Sequence, residues 1–367
     1  MKYICLITTL SCIIFCSCRD TSPHLEYALQ ASEANRAELE KVLKHYSQNP
    51  EDSLKLQAAL FLIENMPEHF SYSGQFLQDF KQIVDTTIQD YLLKKVILMQ
   101  PARYSRSRQQ LQIEADIKHV QADYLIYNID KAFEQWTTRP WLEGISFKDF
   151  LEYLLPYRIG NETLDYWRDS LAPEQEKYIR EAIQYFDDRK FSVYNISKQV
   201  SDHTLSYKTN TGSVANIPFT ISECVFTSRL ELLAFRMAGI PAAIDHVPCW
   251  ADMNGFHEWT VVIDPKKLDI LHGQLETKNA PKVFRRTYAV NEIPKPEGDE
   301  YIPPFFRDPF NRDVTRKYQA TSDVTVKADI PGRRHSIHHA YLAIFNDRQL
   351  RIVDWGKVKR NKAVFRD

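Results

Sequence analysis

Through "SEANRAELEKVLKHYSQNPEDSLKLQAALFLIENMPEHF" apolar residues return at three- and four-residue steps, the period of amphipathic helices. Asn49-Pro50 interrupts the pattern, Ser53 reopens it and Met66-Pro67 closes it. The same period predicts a helix over Ser73 to Met99 and another over Ile113 to Trp136. Ser146 can cap a short helix ending before Pro156, and Trp167-Arg168 falls on the next helical stretch. Tyr157-Arg158 and Trp167-Arg168 read as packing between helices, with a substrate-facing platform as the alternative. After Gln199 the texture changes. "VSDHTLSYKTNTGSVANIPFTIS" reads as a long loop approaching a site, because Ser, Thr and Asn compete with the backbone for hydrogen bonds.

Next, "SECVFTSRLELLAFRMAGIPA" predicts a helix with Ser222 as N-cap and Leu230, Leu233 and Met237 on its apolar face. Gly239 suits a left-handed C-terminal position, and Pro241 forbids continuation. "AAIDHVPCWA" and "FHEWTVVID" read as strands. "PKPEGDEYIPPFFRDP" reads as a Pro-rich linker, and alternating runs beyond it as antiparallel strands. The fold class is therefore α+β: a helical region over 19–199, a core over 200–292, a linker over 293–312 and an antiparallel β-domain over 313–367. That last domain has too few strands for a closed sandwich, and the chain stops where a strand has barely begun. It is expected to be incomplete or to complete itself against the core.

The first 18 residues stand apart: one Lys, an apolar run from Tyr3 to Phe15, then small residues, the order of a secretory signal. The run is short for a transmembrane helix. Ser17-Cys18 resembles the lipobox of bacterial lipoproteins, which implies lipidation at Cys18 and a body tethered to a membrane in the cell envelope. Of six cysteines, only Cys224 and Cys249 lie beyond the leader. In an oxidising envelope they could pair, or Cys224 could be a buried inert thiol.

Composition narrows the chemistry. The 47 basic and 48 acidic residues cancel, so no basic field favours nucleic acid. No Gly-rich phosphate loop or dinucleotide fingerprint occurs, and no cofactor is expected. "RRHSIHHAY" gathers His335, His338 and His339 without a ligand-spaced Cys or carboxylate nearby, so it reads as an exposed strand edge rather than a metal site.

The cysteine that opens the predicted helix carries the sharpest signal. In a first helical turn, unpaired N–H groups and the helix dipole favour a thiolate, and the same N–H groups can hold an oxyanion. His257 opens a later strand and could carry the proton. An orienting third group is expected on the strand paired with His257: Glu276, or His272 if the turn is shorter. Trp250 and Trp259 could wall the cleft or fill the core.

Cys224, then Gly239-Ile240-Pro241-Ala242 fifteen residues on, then His257-Glu258-Trp259, together resemble the transglutaminase-like core of the papain-like thiol superfamily. The likeness covers about 210–288. Two departures stand out: Ser222-Glu223 replaces the small Gly before the nucleophile, and "LDILHGQLE" lacks the third-strand Asp. The whole chain is similar to secreted Gram-negative lipoproteins with a helical region, "LPYR…WR", and a "DVT..Y" β-domain. The resemblance implies acyl transfer or hydrolysis on a peptide or amide-bearing polymer by Cys224, His257 and Glu276. The alternative is a lipid-anchored binding or scaffold protein whose core no longer turns over.

Overall fold

The computed structural model describes residues 22–101, 111–171, 173–185, 192–210, 223–264, 270–272, 279–327 and 337–367. Its first helices follow the periodicity. α1 (Pro23–Ala31) is capped by Ser22, whose hydroxyl accepts from Leu25 N–H at 3.1 Å. α2 (Arg36–Ser47) and α3 (Ser53–Asn65) flank the Asn49-Pro50 break, and Leu39, Val42, Leu62 and Ile63 are fully buried between them.

The next predicted helix is split. β1 (Phe70–Ser73) precedes α4 (Gln75–Thr87), and Asp90 recaps the chain by accepting from Leu93 N–H at 2.8 Å before α5 (Tyr91–Leu98). β2 (Gln112–Ala115) pairs antiparallel with β1, so α6 (Ala122–Thr138) starts later than its apolar period implies. α7 (Phe147–Tyr153) is capped by Ser146 as expected.

The two Arg dipeptides are structural staples. Arg158 makes a buried two-pronged ion pair with Asp116, which also accepts from Tyr157 Oη at 2.9 Å. Arg168 lies over the Trp167 ring at 4.5 Å and donates to Asn128 Oδ1 (2.8 Å) and to the carbonyls of Leu154 and Leu155 (2.7 and 3.0 Å). Both side chains are spent on holding the helical region together. Trp167-Arg168 lies in a single 3₁₀ turn, not a longer helix.

α8 (Pro173–Gln184) leads to α9 (Val193–Asn210), a helix where the Ser/Thr/Asn content predicts a loop. Three of its polar residues, Ser197, Ser201 and Thr204, are buried and have partners. Ser201 donates to Glu231 Oε1 at 2.5 Å, and Gln175 donates to Thr204 Oγ1 at 3.2 Å. Glu231 sits on α10 (Glu223–Ala238), the central helix, which is buried along most of its length and carries Ser228, Glu231 and Arg236 inward as hydrogen-bonded polar groups. α10 ends as its sequence dictates. Gly239 takes φ +75°, Ile240 N–H reaches Phe235 O at 2.8 Å and Gly239 N–H reaches Arg236 O at 3.2 Å.

β3 (Ala242–Val247), β4 (His257–Val262), β5 (Ile270–His272), β6 (Phe284–Arg286) and β7 (Asn311–Asp313) form one antiparallel sheet in the order β5-β4-β3-β6-β7. The predicted linker thus contributes a core strand. A second sheet holds β8 (Val324–Lys327), β9 (His339–Asn346), β10 (Gln349–Lys359) and β11 (Lys362–Phe365) in the order β8-β11-β10-β9. The strand that looks barely begun lies inside that sheet, between two neighbours. The sheet is anchored to the core by Asn346, whose amide donates to Trp250 O (2.8 Å) and Met253 O (2.7 Å).

Candidate active site

Cys224 occupies the second residue of α10 and is half-buried. Ser222, its expected cap, lies outside the described residues, as do Glu276 and Cys18. Neither Cys224 nor Cys249 is in a disulfide, so the disulfide alternative falls. Cys249 is buried, which pushes its thiol up from the ordinary value. The two cysteines therefore sit in different settings: one in the first turn of a helix, the other buried just beyond β3.

His257 opens β4, as its sequence context predicts. Its ring stacks between two tryptophans, with centroids 6.3 Å from Trp250 and 5.7 Å from Trp259. Thr260 pairs with His272 across β4 and β5, so His272 lies three residues short of the position opposite His257. It is not the cross-strand partner that a shorter turn predicts.

Strand alternation then sorts the neighbours. Glu258 and Thr260 face α10: Ser228 donates to Glu258 Oε1 at 2.6 Å, and Thr260 donates to Glu231 Oε2 at 2.7 Å. Ser228 is one helical turn from Cys224. Arg229 Nη1 lies 3.4 Å from the same Glu258 oxygen. His257 and Trp259 belong to the alternate face. There Trp259 Nε1–H donates to Tyr318 Oη (3.0 Å), and Tyr318 donates to Asp245 Oδ2 (2.6 Å). Asp245 also receives both prongs of Arg285, at 2.7 and 2.8 Å. Burial, with the Asp245 charge beside it, keeps the Tyr318 phenol well above its ordinary value. This chain holds the Trp259 ring, and through it one wall of the His257 site, on a fixed carboxylate.

Asp245, Arg285, Tyr318 and Glu258 are absent from the sequence-based site. One signal was available: an Asp within the otherwise buried run Ala242–Val247 demands a buried partner. The partner's identity, 40 positions away, is not encoded locally.

The histidine-rich segment also differs from expectation. His338 and His339 meet carboxylates from the linker: Nδ1 of each lies 2.9 and 2.7 Å from Glu297 Oε2 and Glu300 Oε2. His339 is buried rather than on an exposed edge. Among the described residues no group of three or more His, Cys, Asp or Glu is arranged to hold a metal ion. No helix among them is long and apolar enough to cross a membrane. No family model, no curated protein and no solved structure matches the chain.

Proposed function

We propose that the chain is a thiol enzyme of transglutaminase-like type that transfers or hydrolyses acyl groups on a peptide or amide-bearing polymer. One observation carries the reading: an unbridged, half-buried cysteine in the first turn of the central helix. In this reading the Cys224 sulfur attacks the amide carbonyl carbon and the thiol proton passes to the His257 ring, which must reach past the start of β4 to meet it, because its face of the strand is turned from α10. The C–N bond then breaks, and the amine leaves with that proton. Water, or a second amine, gives its proton to the ring, attacks the thioester and releases the thiol. The helix-start N–H groups hold the oxyanion at each stage. Glu276 is the proposed orienting carboxylate, with Trp250 and Trp259 as walls for the substrate. Lipid on Cys18 would keep the enzyme at the envelope membrane, where such polymers occur.

Alkylation by iodoacetamide at neutral pH tests the thiol. Cys224 should label at least tenfold faster than Cys249, the internal control, and the fast phase should vanish in Cys224→Ala. Equal, slow labelling of both would sink the proposal. Metabolic incorporation of a fatty-acid probe, lost in Cys18→Ser, checks the anchor.

A second reading has its own support. The polar groups of β4 turned toward α10 are Glu258 and Thr260, each already bonded to that helix. A core built this way also suits a binding protein, tethered but without turnover. In that case Cys224→Ala leaves ligand affinity and cellular phenotype unchanged.

A further inference from the structure

One cavity among the described residues is lined by neither Cys224 nor His257. It encloses about 510 Å³ between the turn after α3, the segment 156–161, one flank of α10 and the turn 307–310. That volume suits a small organic ligand. Its lining is unbalanced: five arginines against Glu68, Glu258 and Asp308. Two of those carboxylates are engaged, Glu258 by Ser228 and Arg229, Asp308 by Arg286 at 2.6 Å.

Two of the arginines have no carboxylate in contact among the described residues. Arg236 is buried and donates only to the carbonyls of Tyr153, Arg158 and Ala242, at 3.2, 2.7 and 3.4 Å. Its nearest acids act only at longer range. Glu152 is bonded to Tyr288 N–H, and Glu162 to the N–H groups of Ile159 and Gly160. Burial pushes the Arg236 guanidinium down to about 10, still charged at neutral pH. Arg307 is exposed and lies over the Tyr301 ring, with only its Nε committed, to Ile302 O at 2.8 Å. At the margin sits His246, the cross-strand partner of Glu258. It is buried, both ring nitrogens lack a hydrogen-bond partner, and it feels the charges of Arg286 and Arg229. A flat wall completes the cavity: the His69 ring is stacked between Tyr288 and Phe310, at 4.3 and 4.1 Å.

A buried guanidinium with no counter-charge is costly, and an anion that enters would offset that cost. We propose that this cavity binds a small organic ligand through a carboxylate or phosphate group, with Arg236 and Arg307 as its cationic contacts and the His69–Tyr288–Phe310 stack as its apolar wall. The site stands independently of whether the Cys224 thiol turns over.

Calorimetric titration of the full chain at low ionic strength tests it. The probes are inorganic phosphate, N-acetyl-L-alanine and the uncharged N-acetyl-L-alanine amide. Saturable binding of phosphate or N-acetyl-L-alanine, but not of the amide, is expected. Phosphate binding best assigns a phosphoryl ligand; N-acetyl-L-alanine binding best assigns a carboxylate. Arg307→Gln, at an exposed position that should not disturb folding, should weaken the bound anion roughly tenfold, the size of one lost charge-assisted hydrogen bond. No saturable binding of either anion, or affinity unchanged in Arg307→Gln, overturns the proposal. Because Cys224 lines no part of the cavity, Cys224→Ala should titrate like the unaltered protein.

Discussion

The two faces of the core sheet are built from alternate residues of the same strands, yet they treat buried polar groups differently. On one face hydrogen bonds join Asp245, Arg285, Tyr318 and Trp259 into one chain. On the face toward α10, Glu258 and Thr260 are bonded to the helix, but His246 has two unpartnered nitrogens, and Arg236 of the helix touches no carboxylate. The closed network fixes shape, because each member has only one low-energy arrangement. The open face keeps positive charge beside a cavity, and such unsatisfied groups mark a place where something else can bind.

The sharpest way to break this contrast is to remove one carboxylate. Asp245→Ala leaves Arg285, fully buried, without its counter-charge, and should cost about 3–5 kcal/mol. Arg236→Met removes a charge that has no carboxylate to abandon, and should cost less than about 2 kcal/mol. Urea unfolding of both variants checks the difference. Equal costs would mean that the two faces are energetically alike.

That contrast shows what local sequence carries. α1 to α3 follow from their period, and α10 from its start and its Gly-Ile-Pro stop. β3 and β4 follow from short β-branched and aromatic runs. The ribbon of β1 and β2 does not, because two four-residue strands, well separated in sequence, gain their hydrogen bonds only from each other. α9 looks like a loop because its Ser and Thr residues need partners, and those partners come from α8 and α10. The same limit hid the site's polar shell. The positions of Cys224 at a helix start and His257 at a strand start are legible because both are local features. Pairing Asp245 with Arg285, or leaving Arg236 without a carboxylate, is decided by tertiary contacts.

Acid should erode the open face first. Burial, with the charges of Arg286 and Arg229, holds the His246 ring well below its ordinary value. Burial also pushes His69 down to about 4, with Arg158 reinforcing and Asp116 and Asp308 opposing. Both rings stay neutral in the folded chain while the unfolded chain takes up protons near pH 6.5, so stability falls as pH falls through that value. Each contributes about 1.4 kcal/mol of loss between pH 7.5 and 5.5, roughly 2.7 kcal/mol together. His246→Phe should remove about half of this pH dependence in urea titrations. An unchanged slope would show that the His246 ring takes up its proton alike in the folded and unfolded chain.

The smallest effect is the most informative about the thiol. Glu258 lies on the α10 side of β4, bonded to Ser228 one turn beyond Cys224, with Arg229 as a partly exposed second partner. Glu258→Gln keeps the shape and a hydrogen-bond acceptor, so stability should fall by only about 1–2 kcal/mol, the difference between a charge-assisted and a neutral buried bond. Removing a negative charge near the helix start should favour the thiolate, by about the 0.3–1 kcal/mol that such charges exert there. Iodoacetamide should then label Cys224 about two- to fivefold faster at pH 7, with Cys249 unchanged. A rate that does not move would mean that Glu258 and the thiol are electrostatically separate. The α10-facing carboxylate would then belong to the anion cavity alone, and the two candidate sites would share a helix without sharing a field.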